Sequence, residues 1–346
     1  MTGPNTGPKT GPVDWHRARA VATALAPAGP AVDRTELVGI VARLRAHAAA
    51  APEHVADVTG LTGAAAAATG FDRLIVDRPR WAGANIESFS TALTAELPPV
   101  SALGRGAAGA EIGAALALLS TRVLGQFDPF TRRLFVVAPN IVQVHRALGV
   151  DESDFGLWVC LHEQTHAVQF AAAPWLADHL GTAMNELVSS MAHDPSDRLG
   201  DLLRSLPDLL RERPATPSSG GALLGAVLTA EEEERMAEVM AVMSLLEGHA
   251  DVVMDAVGPG VVPTVARIRR VFNRRRDRPG RVDRVVRRLL GMDAKLEQYR
   301  AGAAFVRAVT RRVGHDGFNA VFTGAEYLPT AAEVAAPRTW VRRVHG

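Results

Sequence analysis

An H-E-x-x-H motif occupies residues 162–166 of the 346-residue chain. Residues four apart lie on one face of an α-helix, so the imidazoles of His162 and His166 can reach one tetrahedral ion at about 2.0–2.1 Å. Residues 151–154 offer cap residues, and no proline follows before Pro174, which favours a helix of about four turns. The spacing therefore predicts a helix that supplies two ligands to Zn²⁺.

Glu163 follows the first histidine, where its carboxylate can take a proton from water held by the metal. Zinc lowers the pKa of bound water from about 15.7 to about 7, so hydroxide becomes available near neutral pH. Trp158, Val168 and Phe170 surround the motif with apolar surface and favour a cleft. The motif thus predicts hydrolysis with Glu163 as general base.

A catalytic zinc site needs three protein ligands and one open position, so a third ligand must come from elsewhere. The three-histidine pattern H-E-x-x-H-x-x-G-x-x-H is absent. Gln169 stands where that pattern has its glycine, and Ala172 stands where a third histidine is required. This excludes the simple three-histidine scheme.

A second helix, predicted over Thr229–Val257, offers a carboxylate as the third ligand. Thr229 and Glu232 match a capping box, and Gly258 marks the end of the helix. Glu247 and Asp251 are four residues apart and share one face. We expect Glu247 to bind the metal while Asp251 accepts a hydrogen bond from His162 or His166, which would fix the orientation of that imidazole.

His249 is the alternative metal ligand. It lies about 200° around the helix from Glu247, so a regular helix cannot easily direct both side chains at one ion. Asp251 shares the face of Glu247 and not that of His249, which favours Glu247. A solvated polar face without any metal role is the remaining interpretation of residues 247–251.

Helical periodicity dominates the chain, and only Phe71–Val76 and Arg133–Val137 carry β-branched runs typical of strands. The predicted fold class is mostly α, an α+β arrangement with a minor sheet. Within the second run, Leu134–Val137 is the candidate for a strand that borders the cleft and pairs with an extended substrate. The alternative is a short core strand without any contact to substrate.

Three regions are expected along the chain. Residues 1–12 repeat Thr-Gly-Pro and predict a disordered tail, residues 13–125 an N-terminal helical region, and residues 126–346 the metal-binding catalytic region. Residues 213–221 predict a flexible loop, either a lid over the cleft or an inert connection.

Composition is ordinary for a globular chain, with 47% hydrophobic and 22% charged residues and a net charge of +1. The single cysteine, Cys160, excludes an intramolecular disulfide and fits a reducing cytoplasm. No export signal is visible. The most apolar stretch, residues 106–124, is glycine-rich and predicts a tightly packed buried helix rather than a membrane span.

Residues 267–288 contain 11 arginines and raise the possibility of a nucleic-acid or anion-binding module. Phe272 is the only aromatic residue among them, and the whole chain is nearly neutral. These features favour a solvated basic face that pairs with the acidic run near Glu231.

The chain also resembles a family of actinobacterial zincin-like hydrolases, some of which are labelled as associated with biosynthesis of a deazaflavin coenzyme. The resemblance covers roughly residues 70–335. It rests on the following segments: Asp77-Arg78-Pro79 with Trp81 and Asn85, Gly125-Gln126-Phe127-Asp128-Pro129-Phe130, Val137-Ala138-Pro139-Asn140, Trp158 to Glu163, Pro174-Trp175-Leu176, Glu247 to Asp251, and Gln298-Tyr299 with Gly302 and Phe305. The H-E-x-x-H and E-x-x-x-D pairs resemble the gluzincin class of zinc peptidases.

The resemblance implies a zincin-like metallopeptidase fold with a zinc-dependent site. Together with the motif and the single cysteine, it predicts a cytoplasmic hydrolase of a peptide or small amide. Tyr299, in a segment similar to the family, is the preferred donor to the tetrahedral oxyanion, with His249 as the other candidate. The alternative for Tyr299 is a plain packing residue. Two functions stay open beside this one. The first is a catalytically silent zinc protein or assembly partner in a coenzyme pathway, and the second is the Arg-rich module. No membrane partner is expected.

Overall fold

The computed structural model describes residues 12–93, 101–192, 229–277 and 292–346, with side chains outside the description at 191–192, 275–277 and 292–300. Most of the predicted tail, the loop at 213–221 and the arginines beyond residue 277 lie outside the described residues.

Helices make up most of the described chain, which confirms the predicted mostly α class. They are α1 (Trp15–Leu25), α2 (Arg34–Thr59), α3 (Thr62–Ala68), α4 (Arg78–Ala92), α5 (Ala102–Leu119), α6 (Ala138–Leu148), α7 (Glu152–Ala172), α8 (Leu176–Ala192), α9 (Ala230–Ala256), α10 (Val265–Asp277), α11 (Met292–Phe318), α12 (Ala331–Ala335) and α13 (Pro337–His345). Two 3₁₀ turns, Asn319–Phe322 and Ala325–Tyr327, follow α11. Within α11, Gly314 has a φ of 72° and interrupts the helix.

One small sheet contains β1 (Asp72–Val76), β2 (Gly125–Asp128) and β3 (Arg133–Val137) in the order β1-β3-β2. β3 pairs parallel with β1 and antiparallel with β2. The expectation that Leu134–Val137 pairs with substrate is therefore wrong, because both edges of β3 are already paired within the sheet. β2 is the edge strand on the side of the H-E-x-x-H helix.

α7 is the central helix of the molecule. The Asp151 carboxylate accepts a hydrogen bond of 2.9 Å from the amide of Asp154 and caps the helix. Side chains on most faces of α7 are buried, since α2, α3, α9 and β2 all pack against it. The described packing thus holds the motif within the protein interior.

α9 begins with the predicted capping box, in which Thr229 and Glu232 satisfy each other's backbone amides. Near its end, α9 crosses α11 at two glycines. A Cβ on Gly248 would lie 2.2 Å from the carbonyl carbon of Gly302, and one on Gly302 would lie 1.8 Å from the carbonyl oxygen of Ser244. The glycine at position 248 therefore allows α11 to pass close to the backbone of α9.

α5 is the one helix among the described residues that is long and apolar enough to cross a membrane. Gly109 and Gly113 lie against the backbone of Asp14 and Ala18, so α5 packs closely on α1. The opposite face is exposed, with Leu103 at 85%. The predicted burial of this helix therefore applies to one face only.

The division predicted at residue 125 remains a prediction, but the two regions are closely joined. β1 from the first region pairs with β3 from the second, and α2 packs along α7. The strands predicted at Phe71–Val76 and Arg133–Val137 match β1 and β3 within one residue.

Candidate metal centre

His162 and His166 direct their imidazoles to one point beside α7. Their Nε2 atoms are 3.2 Å apart and the two rings are nearly perpendicular, at 88°. The side chains are 21% and 12% exposed, so each ring is held by protein and reached from one side only.

Glu247 completes a triangle with the two histidines. Its Oε2 atom lies 3.4 Å from Nε2 of His162, and its Oε1 atom lies 3.6 Å from Nε2 of His166. Within the described part of the chain, these three residues form the one group of histidine, cysteine or acidic side chains close enough to share an ion.

The dimensions of this triangle fit zinc. Ligand atoms bound at about 2.0–2.1 Å with tetrahedral angles lie about 3.3–3.4 Å from one another. The 3.2 Å between the two Nε2 atoms and the 3.4 Å between Nε2 of His162 and Oε2 of Glu247 are close to that length. The other oxygen of Glu247, Oε1, is the one that lies 3.6 Å from His166, and with one ligand atom from each residue the three atoms lie within 4.8 Å of one another. Two imidazoles and one carboxylate are also a ligand set used by catalytic zinc, which keeps its fourth position open.

Gln169 positions His166 and was not predicted as a site residue. The Nδ1 atom of His166 is 2.8 Å from Oε1 of Gln169, while Nε2 of Gln169 donates to the carbonyl oxygen of Leu246 at 2.9 Å. A carbonyl can only accept, so the amide nitrogen must face Leu246 and the amide oxygen must face His166. His166 therefore carries its proton on Nδ1 and presents the lone pair of Nε2 to the metal.

His249 does not join the metal triangle. It is 1% exposed, its Nδ1 atom lies 3.0 Å from Nε2 of Gln169, and its ring packs on Phe318 and Phe322. Because Gln169 donates, Nδ1 of His249 accepts and the proton of the neutral ring is on Nε2. Burial, together with the charges of His315 and His166, lowers the pKa of His249 to about 3.

Asp251 does not hydrogen-bond to either ligand histidine. Its carboxylate accepts a hydrogen bond of 3.1 Å from Nη1 of Arg269, which also pairs with Asp255 at 2.8 Å. The prediction for Asp251 is corrected in this respect, because α10 supplies a competing donor. Asp251 still lies close enough to His162 for its charge to favour the protonated imidazole.

The metal triangle also holds a proton when no metal is bound. Burial opposes the charged form of His162, but the hydrogen bond that His162 donates to Glu247 and the charges of Glu163 and Glu247 raise the pKa of His162 to about 9. Burial likewise opposes ionisation of Glu247, yet the two histidines lower its pKa to about 2. Metal binding must therefore displace a proton from His162 at neutral pH.

Glu163 projects toward β2 and not into the triangle. It is 6% exposed, and burial raises its pKa to about 7 despite a hydrogen bond from the amide of Phe127. A Cβ on Gly125 would lie 2.4 Å from Cγ of Glu163, so only glycine allows β2 to pass this close. Gly125 and Phe127 thus lie against the carboxylate of Glu163. The sequence indicated this contact only through the short segment Gly-Gln-Phe-Asp at residues 125–128.

Tyr299 lies in α11, but its side chain is outside the described residues, so its assignment as oxyanion donor stays a prediction. Two described arginines of the basic segment, Arg267 and Arg269, have structural partners, and Arg267 donates to the carbonyl oxygen of Gly149. Arg269 lies 5.1 Å from the Trp158 ring and pairs with Asp251 and Asp255, while Glu231 pairs with Arg235. The expected pairing of the basic segment with the acidic run is therefore wrong for Arg269 and Glu231.

Comparison with known proteins agrees with this geometry. The family model described as zincin-like metallopeptidase matches residues 13–341. The chain is also similar to a protein described as "a putative hydrolase with a novel fold" from Chloroflexus aurantiacus, with a TM-score of 0.63 and 29% identity over 96% of this chain and 98% of that one. No curated protein matches the sequence. Since the family match spans most of the chain and includes the whole metal triangle, the chain belongs to the zincin-like metallopeptidase family.

Proposed function

We propose that this protein is a zinc-dependent hydrolase of the metallopeptidase type that cleaves an amide bond. The observation that carries the proposal is the convergence of His162, His166 and Glu247 on one point, at distances that one zinc ion can bridge, with the buried carboxylate of Glu163 beside them. His162, His166 and Glu247 would hold the ion. When bound, zinc supplies a Lewis acid and lowers the pKa of water.

Glu163 moves the proton in the proposed reaction. Its raised pKa, about 7, suits a group that first takes a proton from the attacking water and then delivers it to the leaving amine. The amide of Phe127 favours the ionised form of this carboxylate, and burial keeps bulk water away from it. Tyr299 remains the proposed donor to the oxyanion.

β2 is the proposed site for the substrate backbone. It is the outer strand of the sheet beside Glu163, and an extended peptide can add to such an edge through main-chain hydrogen bonds. This arrangement favours a peptide over a compact small amide.

Metal analysis and one conservative substitution test the proposal. We expect one zinc per chain in the wild type, loss of zinc in His162→Ala, and retention in His16→Ala, a control on the exposed face of α1. Glu163→Gln should keep the zinc and the fold but lower hydrolysis of a peptide library by at least about 100-fold, the lower range for a general base.

Two results would contradict the proposal at different points. A wild type that binds no zinc would remove the metal centre itself. Zinc binding without any hydrolysis that depends on Glu163 would leave the metal centre intact and favour the catalytically silent role, such as an assembly partner in a coenzyme pathway.

A further inference from the structure

A cavity of about 300 Å³ lies where the parallel strands β1 and β3 end. α4 begins directly after β1 and α6 directly after β3, and the starts of both helices line the cavity. Residues 26–33, which connect α1 and α2, supply a further wall, and we call this segment the strap. In open α/β sheets, ligands bind outside the carboxyl ends of parallel strands. The described lining includes no residue of the metal triangle, so this cavity is a separate site.

Most of the surface that faces this cavity is apolar. It is lined by the prolines and Val32 of the strap, by Leu37 and Ile40 of α2, and by Val142 of α6. Leu37 both lines the cavity and is 45% exposed, so the cavity reaches the surface beside this side chain. An apolar cavity of about 150 Å³ in another protein binds benzene. A volume of about 300 Å³ therefore has room for an apolar body of about eight to ten carbon atoms.

Arg78 is the one basic residue of the described lining, and it is buried, with 4% exposure. Its Nε atom donates to Oδ1 of Asn140 at 2.7 Å, its Nη1 atom donates to the carbonyl oxygens of Pro27 and Ala28 in the strap, and its Nη2 atom donates to Oε1 of Gln143 at 2.6 Å. All four acceptors are neutral, and Arg78 forms no ion pair within the described chain. The two N–H groups of Nη2 have one described acceptor between them.

The positive charge of Arg78 is not explained by its neutral partners. A buried charge without a counter-charge is unfavourable, and burial lowers the pKa of Arg78. Asp77 is the one acidic residue of the described lining, but it is exposed and its carboxylate accepts a hydrogen bond of 2.8 Å from the amide of Arg80. Asp77 thus caps α4 and leaves the guanidinium of Arg78 without an anion.

The start of α6 adds a second feature that favours an anion. α6 begins without a side-chain cap, and Asn140 in its first turn accepts the hydrogen bond from Nε of Arg78, so the guanidinium lies beside the positive end of this helix. The strap covers the same turn, since a Cβ on Gly29 would lie 2.4 Å from Cβ of Pro139. Arg78 and the uncapped start of α6 therefore border one covered, apolar space.

We propose that this cavity binds a small monocarboxylic acid with an aliphatic body of about eight to ten carbon atoms. The carboxylate pairs with the guanidinium of Arg78 and supplies its counter-charge, while the body replaces water along Val32, Leu37 and Ile40. The described lining contains no aromatic ring, which favours an aliphatic body over a stacked ring. The proposal goes beyond the hydrolase function and does not depend on it.

Calorimetry on the full chain tests the proposal with three probes, in the presence of excess chelator so that no metal can hold a carboxylate. Octanoate carries both the chain and the charge, octanamide has the same chain without the charge, and butyrate has the charge on a shorter chain. We expect octanoate to bind at least about tenfold more tightly than either of the other probes, because one lacks the ion pair and the other buries less apolar surface.

Substitution of Arg78 tests the charged half of the site. Arg78→Met removes the charge and should weaken octanoate binding at least about tenfold, whereas Arg80→Met, at an exposed arginine of the same helix, should leave it unchanged. Because Arg78 also holds the strap, Arg78→Lys is the second variant. It keeps a positive charge and should retain the preference for octanoate over octanamide.

Substitution of Val32 tests the apolar half. Val32→Trp should occupy part of the cavity and weaken octanoate binding at least about tenfold. Val38→Trp is the matched control, since Val38 is 63% exposed and lies outside the cavity lining. It should bind octanoate as the wild type does.

The proposal is overturned if the wild type binds octanoate and octanamide equally, or binds neither. Equal binding of octanoate by the wild type and Val32→Trp would also overturn it, because the chain would then lie elsewhere. These measurements require neither metal nor hydrolysis, so failure of this site and failure of the proposed hydrolase give different results.

Discussion

Gln169 joins the two helices that supply the metal ligands. It contacts His166 on α7 and both Leu246 and His249 on α9. We expect Gln169→Leu to lower zinc affinity by about 10- to 100-fold, because His166 loses the acceptor that fixes its tautomer. Competition with a chelator of known affinity measures the change.

Gln164 provides the matched control on the same helix. It is 1% exposed, and neither atom of its amide has a hydrogen-bond partner within the described structure. Replacing an unsatisfied buried amide by an apolar group is neutral or stabilising, so Gln164→Leu should keep the zinc affinity of the wild type. Equal losses in the two variants would show that Gln169 acts through packing alone.

At the residue scale, the sequence predicted side chains that share one helix better than those that meet across helices. The pairing of His162 with His166 follows from the helical repeat. The role of Gln169 depends on a carbonyl from α9, and that of Asp251 depends on a competing arginine from α10. The single signal for Gln169 was its position three residues after His166, where side chains on a helix meet.

At the element scale, the crossing of α9 and α11 places Glu247. A methyl group on Gly248 would lie 2.2–2.4 Å from backbone atoms of α11, so the helices must separate. We expect Gly248→Ala to destabilise the protein by about 1–3 kcal/mol, the usual range for overpacking, and to weaken zinc binding because Glu247 is the adjacent residue. Denaturant unfolding and chelator competition measure the two effects.

Gly63 provides the control for the Gly248→Ala substitution. It lies in α3, and a Cβ there would meet no atom within 4 Å. Gly63→Ala should therefore stabilise the protein by about 0.5–1 kcal/mol through helix propensity, without any change in zinc affinity. A Gly248→Ala variant as stable as the wild type would contradict the close crossing.

At the scale of the whole molecule, the helices could be predicted from the sequence because helix caps and hydrophobic periodicity depend on residues that are close together in the chain. The capping box at Thr229 and the glycine after α9 both lie where the sequence predicted them. β2 was missed as a strand, since it has only four residues and none is β-branched. Its place at the edge of the sheet depends on pairing with β3, which no local pattern encodes.

The stability of the whole chain toward acid should depend on His249. Burial lowers its pKa to about 3 in the folded protein, against about 6.5 in the unfolded chain. Between these values the unfolded state binds more protons, so folding stability falls as the pH is lowered from about 6.5 toward 3. From pH 7 to pH 5 this histidine alone should remove about 2 kcal/mol from the free energy of unfolding.

His249→Leu tests this expectation because leucine cannot take up a proton beside Phe318 and Phe322. The free energy of unfolding of the variant can differ from that of the wild type at any one pH. The decrease in this free energy between pH 7 and pH 5 should, however, be about 2 kcal/mol smaller in the variant than in the wild type. Denaturant unfolding at both pH values measures the loss, with excess chelator present so that release of metal does not contribute. The exposed His16→Leu controls for removal of a histidine. An identical pH dependence in the wild type and His249→Leu would contradict this expectation. It would mean that the His249 imidazole takes up its proton before the protein unfolds, for example by local opening of the 3₁₀ turn at Asn319–Phe322 that covers its ring.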